Sequence, residues 1–278
     1  MEVAMINDEI VPIETAQVSA HDRGLFFGDG VYEVVVYRGG RLFAWDRHLE
    51  RFERSLREMQ MIEKVDLGVV EERVRRGLEA SKLGEAVVYF HVTRGSGLRS
   101  HDWQAGWEPN FLLTVRPNLH KHPSETTVIS HPDWRWKRCD IKSLNLLANV
   151  LAKHAAIAAG AYEAVLVNGE GRVTEGTSTS VLMVKDGALR TAGLDANVLP
   201  GITRALLLQT AGEVGLEAVE ASFSLAEAKE ADELFLTGTT TEVMGITALD
   251  GETIGTGRLG PYSKKLRAVL VEMIESGT

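Results

Sequence analysis

Over the first forty positions, short apolar runs alternate with turn-forming residues; helical spacing follows. Ala4-Met5-Ile6 runs into the turn pair Asn7-Asp8, and Ile10-Val11 resumes the strand pattern. His21-Asp22-Arg23-Gly24 interrupts it and leads to Phe26-Phe27-Gly28-Asp29-Gly30. Residues 31–37 read as a strand, and Gly39-Gly40 before Arg41-Leu42-Phe43 signals a hairpin. From Asp46, read as an N-cap, Leu49, Phe52, Leu56 and Met59 recur at spacings of three and four and form one apolar stripe. His48, Arg51 and Ser55 lie on an adjoining line. A second helix is expected over 67–83, and strands over 86–93 and 111–115. After the first of these strands comes the Gly-rich loop Arg94-Gly95-Ser96-Gly97-Leu98-Arg99-Ser100-His101.

The run RPNLHKHPS (116–124) has two prolines and no period, so a linker is placed at 119–124. Beyond it are a strand at 127–129, the basic-aromatic run Trp134-Arg135-Trp136-Lys137-Arg138, and a helix marked by Leu144, Leu147, Leu151 and Ala155 and closed by Gly160. Hairpins turn at Asn168-Gly169 and near Asp186-Gly187. Pro200-Gly201-Ile202-Thr203 opens a helix running to about Val214, with Gly215 beyond its end. Ser224 and Glu227 form a capping box. A strand at 233–237 opens into Gly238-Thr239-Thr240-Thr241, and a last helix covers 261–274. This sheet-rich order with interleaved helices is α/β in class, α+β-like, with domains at 1–118 and 125–278.

Composition narrows the function classes. The 278 residues are 44% hydrophobic and 25% charged with 7 Pro, the profile of a globular protein rather than a disordered one. A formal charge of −9 argues against non-specific binding to nucleic acid or an anionic membrane, and leaves small-molecule chemistry open. One cysteine, Cys139, excludes an intramolecular disulfide and a cysteine-based metal cluster; a packing role is assigned to it and no metal is expected. No apolar run approaches the ~20 residues of a membrane span. The start MEVAMINDEI lacks the regions of a signal peptide, so a cytoplasmic location is expected.

Two charged residues stand in runs that otherwise favour burial. Lys142, between Ile141 and Leu144, lies just ahead of an apolar helix; Glu175 follows Arg172-Val173-Thr174 and precedes Gly176. Buried ionic groups cost several kcal/mol unless paired or given work. The segments Pro200-Gly201-Ile202-Thr203 and Thr237-Gly238-Thr239-Thr240 offer backbone N–H groups and hydroxyls, and the first opens a helix, which suits a phosphate. With Arg51 they can hold one phosphate. A lysine, a lone carboxylate and a phosphate cradle are what pyridoxal 5′-phosphate requires. The amine forms the Schiff base and shuttles the proton, and the carboxylate keeps the pyridine nitrogen protonated so that the ring absorbs electrons. That protonated nitrogen would in turn compensate the buried Glu175.

The runs DRGLFFGDGVYEVV (22–35), RHLERFERS (47–55), VYFHVTRGSGLRSH (88–101), RCDIKSLNLLANVLAK (138–153), YEAVLVNGEGRVTEGTSTSV (162–181), PGITR (200–204) and ELFLTGTTTEV (233–243) span nearly the whole chain. In these runs the sequence resembles the class IV, or fold type IV, pyridoxal-phosphate transferases, and within them the D-amino-acid aminotransferases. The resemblance implies a small N-terminal α/β domain and a larger C-terminal domain with a mixed, barrel-like sheet. It makes Lys142 the Schiff-base lysine and Glu175 the partner of the pyridine nitrogen. Arg51, Ile202, Thr203 and Thr239 fall on phosphate-binding positions, with Gly238 in the cofactor set. Tyr32, Arg99 and His101 fall on the substrate side, where an Arg-x-His pair and a tyrosine hold the α-carboxylate. A guanidinium fork suits that carboxylate.

The implied activity is ping-pong transfer of the amino group of a D-amino acid, such as D-alanine or D-glutamate, to a 2-oxo acid by a homodimer. Two departures stand out: Ser180, where relatives often carry asparagine, and the tryptophan-rich DWQAGWEP after His101. The alternatives are a branched-chain L-amino-acid aminotransferase, a 4-amino-4-deoxychorismate lyase, and a non-catalytic binding protein on the same scaffold. Arg99 and His101 favour the D-amino-acid reading over the first two, and Lys142 counts against the third.

Overall fold

The computed structural model describes residues 1–104, 106–118 and 122–276; of the expected linker, 119–121 lie outside them. The described residues form two units. One holds 1–118 together with Ile141–Asn145, and the other holds 122–140 together with Leu146–Ser276.

The first unit contains strands β1 (Val3–Ile6), β2 (Glu9–Val11), β3 (Gly30–Arg38), β4 (Arg41–Leu42), β5 (Ala86–Thr93) and β6 (Asn110–Pro117). Its helices are α1 (Arg23–Phe27), α2 (Trp45–Glu58) and α3 (Leu67–Ser81). The strands form one antiparallel sheet in the order β2-β1-β6-β5-β3-β4. Side chains of a strand alternate between faces. Val31, Glu33 and Val35 of β3 and Ala86, Val88, Phe90 and Val92 of β5 are therefore buried, while Tyr32, Val34, Tyr89 and His91 are half-buried on the other face. The buried face packs with Phe52 and Leu56 of α2 and Val70 and Val74 of α3. Gly39 and Gly40, both left-handed, make the β3–β4 turn.

α2 begins ahead of the residue read as its cap. Ala44, in a left-handed conformation, occupies the N-cap, Trp45 opens the helix into the core, and Asp46 sits in the first turn. There its charge favours the positive end of the helix without capping it. The stripe itself is as spaced, with Leu49 and Met59 partly buried around Phe52 and Leu56.

The short segment that carries Lys142 belongs with the first unit although it follows the linker in sequence. The Tyr32 N–H donates to the Lys142 carbonyl at 2.9 Å and the Leu144 N–H to the Gly30 carbonyl at 3.0 Å, with a bridge between Val31 and Ser143. It thus adds backbone bonds beside the start of β3.

The second unit contains β7 (Glu125–Pro132), α4 (Leu147–Ala158), β8 (Glu163–Val167), β9 (Val173–Gly176), β10 (Ser180–Lys185), β11 (Ala188–Thr191), α5 (Ile202–Thr210), β12 (Glu217–Glu220), α6 (Leu225–Lys229), β13 (Glu233–Gly238), β14 (Glu242–Leu249), β15 (Glu252–Thr253) and α7 (Pro261–Ser276). The sheet runs β12-β11-β10-β13-β14-β7-β8-β9, with β15 on β14. It is mixed: β11–β12, β14–β7 and β7–β8 are parallel. It also curls, because the Gly176 N–H at the end of β9 donates to the Thr179 carbonyl just before β10, closing the path from the far side. The Ser224–Glu227 capping box forms as spaced, and α5 ends through a 3-10 turn at Gly215 in a left-handed conformation.

α4 departs from the apolar stripe read in the sequence. Leu147 is 72% exposed and Leu151 51% exposed, and the buried residues are Ala152 and Ala156. These alanines pack on Ala164 and Leu166 of β8, a small-residue contact that lets the helix lie close to the sheet. The larger side chains are left on the opposite face.

Close packing in the first unit is tested at Gly77 of α3, where a Cβ would lie 2.2 Å from Cδ2 of the fully buried Leu113. Gly77→Val is expected to destabilise the protein by about 1–3 kcal/mol through overpacking. The measurement is a lower urea midpoint at unchanged m value; an unchanged midpoint would contradict the contact.

Candidate active site

The first unit gathers charge beneath β3. His48, Arg51 and Ser55 recur along the buried side of α2, and Glu33 projects toward them from β3. Arg51 donates through Nε to Glu33 Oε1 and through Nη2 to Oε2, each at 2.8 Å, and His48 Nδ1 lies 2.7 Å from Oε2. Burial alone would raise the Glu33 carboxyl. The Arg51 charge and the hydrogen bonds from Arg51 and His48 outweigh it and hold the group at about 2. Burial keeps the His48 imidazole below its ordinary range against the pull of Glu33, so it is the neutral form that sits here. Arg51 is thereby a cation fixed in place by a bidentate partner.

Lys142 lies beside this cluster. Its backbone N–H donates to Ser55 Oγ at 3.2 Å, and its Nζ lies 4.3 Å from the centroid of the Tyr32 ring. Tyr32 in turn stands 5.7 Å from the Tyr89 ring, and Tyr89 Oη is hydrogen-bonded to His91 Nδ1 at 2.9 Å. Burial raises the Tyr89 phenol and pushes the His91 imidazole down to about 4, so this face carries neutral hydrogen-bonding groups around one amine. The structure thus brings Lys142, Tyr32 and Arg51 into one neighbourhood. Arg99 and His101 lie elsewhere in the unit: the Arg99 guanidinium is 5.2 Å from the Phe27 ring centroid and the His101 ring 5.5 Å from it. Among the described residues no hydrogen bond or ion pair joins them to Lys142 or Tyr32.

In the second unit Glu175 is buried on β9 and has a partner within the protein. Arg135 Nη1 donates to Glu175 Oε2 at 2.5 Å, while Nε and Nη2 of Arg135 clasp Asp133 at 2.9 and 2.8 Å. The Thr174 hydroxyl donates to Asp133 Oδ2 at 2.7 Å. Burial works against the charged forms of Asp133 and Arg135, yet their mutual bonds lower the first and raise the second. The reading that left Glu175 to be compensated by a ligand cation is therefore corrected: a guanidinium is already there. Arg135 is, however, shared by two carboxylates, and neighbouring Arg138 and Asp140 pair with each other at 3.0 Å. In their ordinary ionised forms the five groups sum to one formal negative charge.

The remaining positions expected to hold the cofactor lie near the start of β10 in the same unit. Ser180 opens β10 opposite Thr237 of β13, and a Cβ on Gly201 would lie 2.8 Å from Ser180 Oγ. Gly201 is the N-cap of α5 and contributes no capping side chain. The amides of Ile202 and Thr203, in the first turn, have no acceptor within the helix. Gly238 ends β13, Thr239 follows it in the turn, and a Cβ on Gly238 would lie 3.8 Å from the Ser178 carbonyl. Thr179 stands beside Gly238 through its methyl group, while its buried hydroxyl, which has no hydrogen-bond partner, lies against Gly176. An uncapped helix start and side-chain-free approaches at two glycines fit a phosphate ester, and the buried carboxylate fits a ring nitrogen; pyridoxal phosphate suits this donor set.

Sequence reasoning missed Arg135, Glu33 and the Tyr89–His91 pair. Glu33 carried a signal, because its position in β3 alternates with Val31 and Val35 and so faces the core. Arg135 carried only the alternation of Trp134 and Trp136, both exposed, around it. Cys139, half-buried, donates to the Trp136 carbonyl at 3.0 Å, and burial pushes its thiol up to about 12, which disfavours the thiolate. Among the described residues no group of three or more His, Cys, Asp or Glu side chains is placed to hold a metal. No helix there is long and apolar enough to cross a membrane.

Comparison with known proteins places this arrangement in a family. The family model described as amino-transferase class IV matches residues 30–249, and the chain belongs to the class IV aminotransferases. It is 36% identical over 277 residues to a D-alanine aminotransferase of Bacillus licheniformis, covering 99% of this chain and 98% of that protein. It is 37% identical over 276 residues to a D-alanine aminotransferase of Listeria monocytogenes, covering 97% and 95%. Among solved structures it superposes on a branched-chain amino acid aminotransferase of Escherichia coli with a TM-score of 0.91 at 24% identity, covering 99% and 95%. A branched-chain amino acid aminotransferase of Thermobaculum terrenum, solved in its PLP form, gives 0.87 at 25% identity, covering 99% and 94%. The fold is fold type IV, and the enzyme is an aminotransferase.

The Glu33 clasp makes a prediction about acid. Its folded value lies below the ordinary 4.5, so the unfolded chain is the one that gains the proton first; the stability it confers is full above about 4.5 and is lost as pH falls toward 2. Urea unfolding as a function of pH is expected to show a shallower acid limb in Glu33→Gln, with lower stability at neutral pH because Arg51 loses a buried partner. An acid limb identical to the parent's would contradict the assignment.

Proposed function

We propose that this aminotransferase moves the amino group of a D-amino acid, of the D-alanine or D-glutamate type, to a 2-oxo acid in two half-reactions, using pyridoxal 5′-phosphate. The observation that carries the reading is Lys142: an amine lying over the Tyr32 ring, its backbone pinned by Ser55 and by β3. When bound, pyridoxal phosphate supplies a carbonyl for that amine and a protonated ring that stores the electrons left when the α-proton departs. Lys142 Nζ would remove the proton from the substrate α-carbon and return it to the aldehyde-derived carbon on the far side of the nitrogen, two bonds away. Glu175 holds the negative charge that favours a protonated ring nitrogen. Arg51, Ile202, Thr203, Gly238 and Thr239 bind the phosphate. Arg51 is itself neutralised by Glu33, so its contribution is directed N–H donation more than net charge.

Tyr32, Arg99 and His101 are assigned to the substrate, with Arg99 and His101 on the α-carboxylate. The D-configuration is supported by the full-length identity to D-alanine aminotransferases, against 24% and 25% for the branched-chain enzymes that share the fold. The reading includes a homodimer. Support comes from α4, which presents Leu147, Val150, Leu151 and Ile157 on an exposed face, with exposures of 72%, 57%, 51% and 59%. It also includes a cytoplasmic home, consistent with a single thiol that stays reduced.

The test combines chemistry and configuration. The purified protein is expected to be yellow, borohydride is expected to fix the cofactor on the peptide containing Lys142, and D-alanine with 2-oxoglutarate is expected to turn over. A preparation that stays colourless with added pyridoxal phosphate would sink the cofactor reading. Exclusive turnover of L-leucine would transfer the enzyme to the branched-chain group, and pyruvate release from aminodeoxychorismate to the lyases. Sedimentation is expected to give twice the 30.5 kDa chain mass.

A further inference from the structure

The loop carrying Arg99 and His101 is exposed along its length, with Leu98 81% and Trp103 45% exposed, and yet its backbone is tied to a buried cation. Arg23, the first residue of α1, is 4% exposed. Its Nη1 donates to the Ser100 carbonyl at 2.7 Å and to the Asp102 carbonyl at 3.3 Å, and its Nη2 to the His101 carbonyl at 3.5 Å. Three consecutive carbonyls thus converge on one guanidinium. Arg23 is held in turn: Nε donates to Asp29 Oδ2 at 2.6 Å, and its backbone N–H to the Gly95 carbonyl at 3.0 Å. Asp29 also accepts from Arg94 Nε, and Arg94 Nη2 reaches the Met59 carbonyl at 2.7 Å, so the cation rests on a buried carboxylate fixed from two sides.

The side chains complete the arrangement. Arg23 lies 4.7 Å from the Phe27 ring centroid and 5.1 Å from that of Trp107. Arg99 and His101 meet the same Phe27 ring, at 5.2 and 5.5 Å. One turn of α1 therefore supplies both a clamp for the loop backbone and a platform for the two side chains. Ordering an exposed loop costs backbone entropy for each residue held in one conformation, which would otherwise have to come from substrate binding.

We infer that Arg23 is a positioning residue: it fixes the 99–102 backbone beforehand, so that Arg99 and His101 meet a carboxylate substrate without first being ordered. This rests on the proposed assignment of Arg99 and His101 to the α-carboxylate. Lysine is the informative replacement, because it keeps a charge for Asp29 but has no planar fork to span Asp29 and three carbonyls at once.

The test uses the holoenzyme of Arg23→Lys, Arg99→Ala and the double variant. Hydrogen exchange at loop amides 99–103 is expected to quicken about tenfold in Arg23→Lys while the global unfolding midpoint stays within a few degrees of the parent. The KM for D-alanine and for the oxo acid is expected to rise about tenfold, with the rate at saturation changed less than threefold. Adding Arg23→Lys to Arg99→Ala is expected to raise KM no further, since the clamp acts through Arg99. Unchanged loop exchange would overturn the positioning role, and so would a full additional rise in the double variant. If exchange quickens but Arg99→Ala itself leaves KM unaltered, the carboxylate assignment has failed, and the link from clamp to affinity falls with it while the clamp stands.

Discussion

One guanidinium shared by two buried carboxylates sets the electrostatics of the second unit. Asp133 takes both Nε and Nη2 of Arg135, and Glu175 takes Nη1. A lone buried Glu175 would shed its charge by taking up a proton, because an unpaired carboxylate in an apolar surrounding favours the neutral form. A one-to-one pair with Arg135 would keep Glu175 ionised but cancel its field. With Asp133 on the same guanidinium, the three side chains in their ordinary ionised forms sum to one formal negative charge. That is the condition under which a carboxylate can hold a proton on a neighbouring ring nitrogen.

The same physical device recurs in the first unit with other outcomes. Glu33 and Arg51 are matched one to one, so the arginine proposed for the phosphate is rigid but nearly neutral as a pair. Asp29 stands between Arg23 and Arg94, an excess of cation that is met by backbone carbonyls of Ser100, His101 and Met59. Each buried arginine is thus fixed by a carboxylate and directed by what that carboxylate leaves over. The sheet makes this possible, because alternation along β3 and β5 separates a face under α2 and α3, apolar apart from Glu33 and its partners, from a face of Tyr32, Tyr89 and His91.

Local sequence carried most of the fold. The Gly39-Gly40 turn, the Ser224–Glu227 box and the Gly215 stop are interactions between near neighbours, and they formed where their residue types required. Features decided by distant partners were less legible. Arg135 looks like one more charge in a basic-aromatic run until Glu175, far along the chain, is brought to it. The segment Ile141–Asn145 joins the first unit through bonds to residues 30–32 that no periodicity announces. On α4 the leucines marked the helix correctly but not its buried side, because a close helix–sheet approach selects alanine for the contact. The residues proposed for cofactor and substrate were assigned through motif resemblance together with their chemistry, whereas the groups bonded to them became visible only as pairs in three dimensions.

The one formal negative charge that Asp133, Arg135 and Glu175 carry together is most directly tested by Asp133→Asn, which preserves the shape of the cluster and removes that charge. The first half-reaction, followed as the spectral change after mixing the holoenzyme with D-alanine in a single turnover, is expected to slow at least tenfold. Borohydride fixation at Lys142 and the unfolding midpoint are expected to stay close to those of the parent. A half-reaction as fast as the parent's, with the cofactor still bound, would contradict the central role given to that one retained charge.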